Sequence, residues 1–254
     1  RDAVDRDFDA VVAFGGDGTI NEVAQGLVGT DVALGVLPGG STNVMVRSLG
    51  MPRDPVDATA FVASRLASGT RRRINVGRLN DRYFIFSAGM GLDAEVVKRV
   101  EADPHRRERS HNLLFLQHAV KAAATRYRGA DPGVTMQVDG HDPEQVLFVI
   151  CCNGRPFTYF KRFPVDACPQ ATLDSGLDVL ALTKIRTPTI PRIAWAVFVS
   201  RSHTQWRNSR YFHDVPGVNL RSVEELPVQV DGDYIGEMTE ARLELVPDAL
   251  DLLA

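Results

Sequence analysis

The sequence predicts an α/β protein in two parts, a helix-clad parallel sheet followed by a β-rich half, and three observations carry that reading. Up to about residue 70, apolar strand runs alternate with helical spacings through glycine-rich corners. After Thr70, strand candidates follow one another across short turns. The 254 residues are 44% hydrophobic and 24% charged, which is ordinary usage for a chain that buries a core of its own.

Phe8 to Phe14 is an apolar run ending in Gly15-Gly16, and Ile20, Val23, Ala24, Leu27 and Val28 then recur at helical spacing. A second buried strand, Val32 to Leu37, ends in Pro38-Gly39-Gly40 and leads into a short helix from Thr42 to Leu49. Pro55 suits a first helical position, so a third helix runs to about Ala67, with Gly69 as its stop. The later strands are Arg73 to Leu79, Tyr83 to Ser87, Val134 to Val138, Val146 to Cys152, Leu177 to Leu182, Val228 to Asp231 and Ala241 to Val246, with turns at Asn80-Asp81 and Asp139-Gly140. Helices interrupt them at about Asp93 to Glu101, Ser110 to Tyr127 and Ile190 to Ser200. Leu113, Leu114, Leu116 and Val120 of the second of these are expected in the core. The division falls near residue 70, giving domains 1–70 and 71–254, with the C-terminal segment a candidate to return to the first.

A formal charge of −3 gives no global attraction to nucleic acid. Cys151, Cys152 and Cys168 are odd in number and show no zinc spacing, which fits buried reduced thiols in a cytoplasmic protein. The longest apolar runs, Val146 to Cys152 and Ile193 to Val199, are far short of the roughly 20 residues that cross a bilayer. Arg71-Arg72-Arg73 and His105-Arg106-Arg107-Glu108-Arg109 read equally as contacts for anionic phospholipid heads or as solvated faces.

The chemistry concentrates in Gly15-Gly16-Asp17-Gly18-Thr19, where a strand hands over to a helix and unhindered backbone N–H groups can approach phosphate oxygens. A carboxylate among phosphates is repulsive unless a cation intervenes, so Asp17 points to bound Mg²⁺; its alternative role is a helix cap. Pro38-Gly39-Gly40-Ser41-Thr42-Asn43 is a second such corner, and neighbouring parallel strands set such corners side by side.

The chain resembles the diacylglycerol kinase catalytic-domain family, which includes sphingosine kinases and bacterial lipid kinases. The carriers are Gly15-Gly16-Asp17-Gly18-Thr19-Ile20-Asn21-Glu22, Leu37-Pro38-Gly39-Gly40-Ser41-Thr42-Asn43 with Arg47-Ser48-Leu49-Gly50, Gly89-Met90-Gly91-Leu92-Asp93-Ala94, Asp174-Ser175-Gly176-Leu177-Asp178-Val179, and Asp231-Gly232-Asp233. The resemblance implies a partial Rossmann-like or phosphofructokinase-like nucleotide domain and a β-rich antiparallel sandwich for the lipid. It implies ATP and Mg²⁺ as cofactors and transfer of the γ-phosphate to a lipid hydroxyl at the inner membrane face, with diacylglycerol as the leading substrate. Gly15, Gly16, Asp17, Gly18, Thr19, Ile20 and Asn21, with Gly40 and Ser41, would hold the nucleotide. Asp233 would be the catalytic base, with Asp17 its partner in catalysis and a metal ligand. Asp93 would read the lipid head or cap a helix, and a structural Mg²⁺ would sit by Thr172, Asp174 and Leu177.

Four positions depart from the family pattern: Ser41 stands for Thr, Val44 for Asp, Ser175 for a ligand Asp and Asp233 for Glu. The family also begins about 60 residues before its first glycine motif, whereas fourteen residues precede Gly15. The expectation is a sheet short of one strand, weak ATP binding by these residues alone and an exposed sheet edge that favours a homodimer. NAD kinase, which shares the Gly-Gly-Asp-Gly loop, and a catalytically silent lipid or nucleotide module are the competing readings.

Overall fold

A computed structural model describes residues 2–103, 111–125, 133–160, 162–185 and 201–254. The elements run α1 (Asp2–Asp5), β1 (Ala10–Gly15), α2 (Asp17–Leu27), β2 (Ala33–Pro38), α3 (Val44–Ser48), α4 (Pro55–Ser68), β3 (Arg72–Leu79), β4 (Arg82–Phe84), β5 (Ser87–Met90), α5 (Leu92–Glu101) and α6 (His111–Thr125). There follow β6 (Val134–Val138), β7 (Glu144–Val146), β8 (Phe148–Cys152), β9 (Thr158–Phe160), β10 (Phe163–Val165), β11 (Leu177–Leu182), a 3-10 turn (Ser202–Gln205), β12 (Ser209–Val215), β13 (Gly217–Val230) and β14 (Asp233–Leu252). The expected helix from Ile190 to Ser200 and the His105 to Arg109 cluster lie outside the described residues.

The first part forms as its pattern dictates. Ile20, Ala24 and Leu27 of α2 are buried at i, i+4 and i+7 spacing against β1 and β2, each contributing on the order of 1–3 kcal/mol. Asp54 caps α4 by accepting from the Val56 and Asp57 N–H groups, and Gly69 ends it at φ 67°. β1 and β2 pair in parallel with Gly15 opposite Pro38, so both glycine corners open at one edge. β14 reaches the same sheet at its far end, where Leu252 pairs with Leu34 and the Leu253 N–H donates to the Leu34 carbonyl.

One twelve-stranded sheet runs through both parts in the order β1-β2-β14-β13-β5-β8-β11-β12, and it branches: β3 and β4 leave β14, while β6 and β7 leave β13. β13 pairs β6 with its first half and β5 with its last residues, so the long ribbon passes from one layer into the other. Met90, Cys151 and Val179 from one layer and Met136, Leu220 and Leu243 from the other close a common core. The result is the α/β fold with a β-rich sandwich that the sequence predicts.

Several expectations needed correction. Tyr83 to Ser87 is not one strand: it breaks at Ile85-Phe86, whose N–H groups face the Asp231 carboxylate instead of a neighbouring strand. β13 and β14 are far longer than the Val228 to Asp231 and Ala241 to Val246 runs. Their polar stretch at Arg221–Leu226 and the region around Pro247 are register shifts within continuous strands, not loops. β9, β10 and β12 have no counterpart among the strands that the sequence pattern predicts. Val120 is 44% exposed, not core, whereas Leu114 is buried as expected.

Candidate active site

The two glycine corners lie backbone on backbone. The Gly39 N–H donates to the Gly15 carbonyl at 2.8 Å, and Asn43 grips Gly40 from both sides, its Oδ1 accepting from the Gly40 N–H and its Nδ2 donating to the Gly40 carbonyl. A Cβ on Gly40 would stand 2.6 Å from the Gly16 Cα, and one on Gly39 would stand 2.9 Å from the Gly15 Cα. These glycines are thus required by the loop contact itself, and the amides of Gly39 and Gly40 are already engaged. Gly16, Asp17, Gly18, Ile20, Gly40 and Ser41 line a cavity of about 590 Å³.

Three of the residues expected to hold the nucleotide, Gly15, Thr19 and Asn21, do not line it. Gly15 leaves room for the Thr19 side chain, which a Cβ would meet at 2.7 Å. Asn21 is buried and donates from Nδ2 to Asp231 at 2.7 Å and to the Tyr83 carbonyl, while Gln25 donates to both Asn21 and Tyr83. Gly15, Thr19 and Asn21 therefore build the frame around the cavity. Asp17 is also more than an ion ligand: its Oδ1 accepts from the Val44 N–H at 2.6 Å, so the first corner caps α3 behind the second. Burial raises its carboxyl above the ordinary range, partly offset by these backbone donors.

Asp231 and Asp233 are separated by the structure. Asp231 sits at φ 47° and Gly232 at φ 88°, so they form the turn, and Asp233 opens β14. The Asp231 carboxylate accepts from the N–H groups of Ile85, Phe86 and Ser87 at 2.7 to 2.9 Å as well as from Asn21. It is a half-buried anchor at the cavity wall with its lone pairs filled. Asp233 makes no side-chain hydrogen bond among the described residues, and its Oδ2 would stand 3.1 Å from a Cβ on Gly18. Its carboxyl is raised first by burial and then by the Glu101 charge, against a lowering by Arg82.

Asp93 completes the polar part. A Cβ on Gly89 would fall 2.0 Å from its Oδ2, which explains that glycine, and Gly91 rather than Asp93 takes the cap position of α5. Asp93 Oδ2 accepts from Gln229 Nε2 at 2.9 Å, while Oδ1 is buried without a hydrogen-bond partner among the described residues. Burial pushes its carboxyl up to about 6, with the Gln229 donor pulling the other way. Gln229 is fully buried, and its Oε1 accepts from the Gly232 N–H at 2.9 Å, so one amide ties Asp93 to the turn before Asp233. Sequence reading missed Gln229; its only signal was a polar residue amid apolar Val228 and Val230. Beyond Asp93 the cavity is apolar, walled by Leu92, Val96 and Val100 of α5, Phe115 of α6, Ile150 of β8 and Leu180 of β11.

Two further groups named from the sequence make contacts within the molecule. At the expected structural Mg²⁺ position, Asp174 is the one carboxylate of the set Thr172, Asp174 and Leu177; it pairs with Arg72 at 2.9 Å, and the Thr172 hydroxyl donates to Ser175. Among the described residues no group of three or more His, Cys, Asp or Glu side chains is placed to hold a metal. The Arg71 to Arg73 run is not a free basic patch, because Arg71 and Arg73 bond the Asp31 and Asp248 carbonyls and both face Asp251.

Comparison with known proteins bears on this arrangement. Residues 1–79 match the diacylglycerol kinase catalytic domain. A diacylglycerol kinase of Bacillus subtilis is 44% identical over 241 residues, covering 93% of this chain and 75% of the relative. A protein named "probable lipid kinase YegS-like" from Chromohalobacter salexigens is 40% identical over 260 residues, covering 100% and 78%. Among solved structures, a diacylglycerol kinase of Bacillus anthracis superposes with a TM-score of 0.66 over 99% of this chain and 78% of that one, and at 19% identity it supports the fold alone.

Proposed function

Because the chain belongs to the diacylglycerol kinase family, we propose that it is an ATP-dependent lipid kinase that passes the γ-phosphate to a lipid hydroxyl, with diacylglycerol the substrate and phosphatidic acid the product. The observation that carries this reading is a single cavity with phosphate-type glycine corners and Asp233 at one end and an apolar chamber at the other. An alkyl chain in the chamber brings its head group past Asp93 to Asp233, which is the order the reaction needs.

Asp233, with an unoccupied carboxylate of raised basicity, takes the proton from the lipid hydroxyl. Asp93 offers Oδ1 to the head group. The N-terminal turn of α2 faces the nucleotide phosphates with Gly16 and Gly18. Asp17 faces the same end and supplies a hard oxygen suited to the Mg²⁺ that accompanies ATP. That ion, when bound, neutralises phosphate charge as it moves to the leaving group. No described helix is long and apolar enough to cross a membrane. The reading fits a cytoplasmic enzyme peripheral to the membrane. Phosphate transfer from labelled ATP to diacylglycerol in mixed micelles tests it; transfer to NAD and to no lipid would overturn it.

A further inference from the structure

The cavity wall contains one element that belongs to neither large core. β9 and β10 form a two-stranded sheet of their own, detached from the twelve-stranded one, with Phe163 opposite Phe160 and Val165 opposite Thr158. Such a hairpin is marginal alone and holds its place by packing. It is held on the inner side, where Tyr159 packs against the first core and lies under the Arg47 guanidinium at 3.4 Å from the ring centre. Phe160 and Val165 line the cavity. At the turn end of the hairpin, Phe163 is 54% exposed, with the exposed Arg162 guanidinium 5.1 Å from its ring centre. The hairpin therefore reaches from the lipid chamber to solvent and carries an aromatic residue and a cation at its outer end.

We propose that the β9–β10 hairpin is the surface by which this protein docks on a bilayer containing anionic lipids, inserting Phe163 at the interface while Arg162 meets the head groups. Two observations select a bilayer over other partners. The first is charge: residues 154–165 contain Arg155, Lys161 and Arg162 and no Asp or Glu, in a chain whose formal charge is −3. An exposed aromatic with flanking cations suits an anionic lipid interface, where each basic residue adds attraction and an aromatic ring sits at head-group level. The second is continuity: Phe163, exposed beside the hairpin turn, pairs directly with Phe160, which lines the cavity, so one small element joins solvent to the apolar chamber. A lipid leaving the bilayer at the hairpin enters the chamber along its apolar side. The Arg71 to Arg73 run does not compete for this role, since its guanidinium groups bond within the molecule.

The proposal rests on the lipid-kinase reading, and its test separates the two. Co-sedimentation of the full chain is measured with phosphatidylcholine vesicles with and without phosphatidylglycerol, for wild type, Phe163→Ser and Arg162→Gln. Kinase activity is measured on a water-soluble short-chain diacylglycerol and on long-chain diacylglycerol embedded in the same vesicles. Wild type should bind the phosphatidylglycerol vesicles. Phe163→Ser should weaken that binding roughly tenfold, and Arg162→Gln about fivefold, an effect that added salt erases. Both variants should phosphorylate the short-chain substrate at the wild-type rate and lose activity only on the embedded one. Neither side chain lines the cavity. Unchanged vesicle binding in both variants overturns the proposal. So does an equal loss on soluble and embedded substrates, which would assign the hairpin to catalysis, or loss of self-association with vesicle binding intact, which would assign it to a second copy of the chain. Wild type that binds vesicles through Phe163 yet phosphorylates no lipid would sink the kinase reading and leave the docking surface standing.

Discussion

The two ends of the cavity are built by different means. At the phosphate end the close contacts are made by backbone: Gly39 on Gly15, Gly40 on Gly16, and Asp17 on the Val44 amide. At the lipid end the walls are side chains from α5, α6, β8 and β11, which meet only in three dimensions. The backbone-built end admits no added atom at Gly39 or Gly40. A side-chain-built end tolerates substitutions that conserve volume. The boundary between them is Asp231-Gly232-Asp233, where one carboxylate fixes the frame and the other carries no side-chain hydrogen bond among the described residues and is the proposed base.

The largest effect should appear at that boundary. Asp233→Asn is expected to lower kcat by about 10² to 10⁴ with little change in ATP affinity, the range for losing a general base, and Asp233→Glu should retain activity. Asp231→Asn should instead cost stability, because an amide cannot accept from the four donors that Asp231 holds. Kinetics and thermal melts of the three variants decide. A stable but inactive Asp231→Asn beside an active Asp233→Asn would exchange the two roles.

Asp17→Asn probes the backbone-built end. Asparagine keeps an oxygen for the Val44 N–H, so melting should hardly move, while kcat falls roughly 10²-fold if the charge serves the phosphates. Near-normal turnover with the same Mg²⁺ requirement would leave Asp17 as the cap of α3 alone. Gln229→Leu probes the join between the ends. It frees Asp93 Oδ2 and the Gly232 N–H without a large change of volume. The expected outcome is a fall in kcat of about tenfold at unchanged KM for ATP, for loss of positioning by a bond or two. A raised KM for ATP with kcat intact would place the bridge on the nucleotide side instead.

The same division explains what the sequence disclosed. Both glycine corners, α2, α4 and their strands were legible, because local spacing and glycine placement dictate them. Asp93 and Asp233 were legible through motifs, although their surroundings were not. The break at Ile85-Phe86 was invisible, since it depends on a carboxylate some 146 residues away in sequence. Gln229 was hidden for the same reason, its partners lying on α5 and the turn. β13 and β14 were truncated in the reading because charged residues, Pro227 and Pro247 suggest loops, whereas a long two-layer ribbon accommodates them at register shifts and exposed positions. Contacts that tie distant segments carry no local periodicity to read.

The last expected effect is a pH dependence of stability, to which Asp93 at the side-chain-built end contributes. Asp93 titrates at about 6 in the folded protein against an ordinary 3.8, with burial the main cause. Between those values the folded state binds more protons than the unfolded one, so stability falls as pH rises from about 4 to about 6 and then levels off. Two pKa units correspond to about 3 kcal/mol, and in a chain of this size that is roughly 6 to 12 °C in Tm. Asp17, Asp231 and Asp233 are raised in the same direction, so wild type alone does not isolate Asp93. Asp93→Asn does: it is neutral at every pH, so its Tm minus that of wild type should grow through this window and stay constant above it. A difference that is flat from pH 4 to 7 would mean that Asp93 is solvated through the cavity, and that its free Oδ1 faces water rather than waiting for a lipid head group.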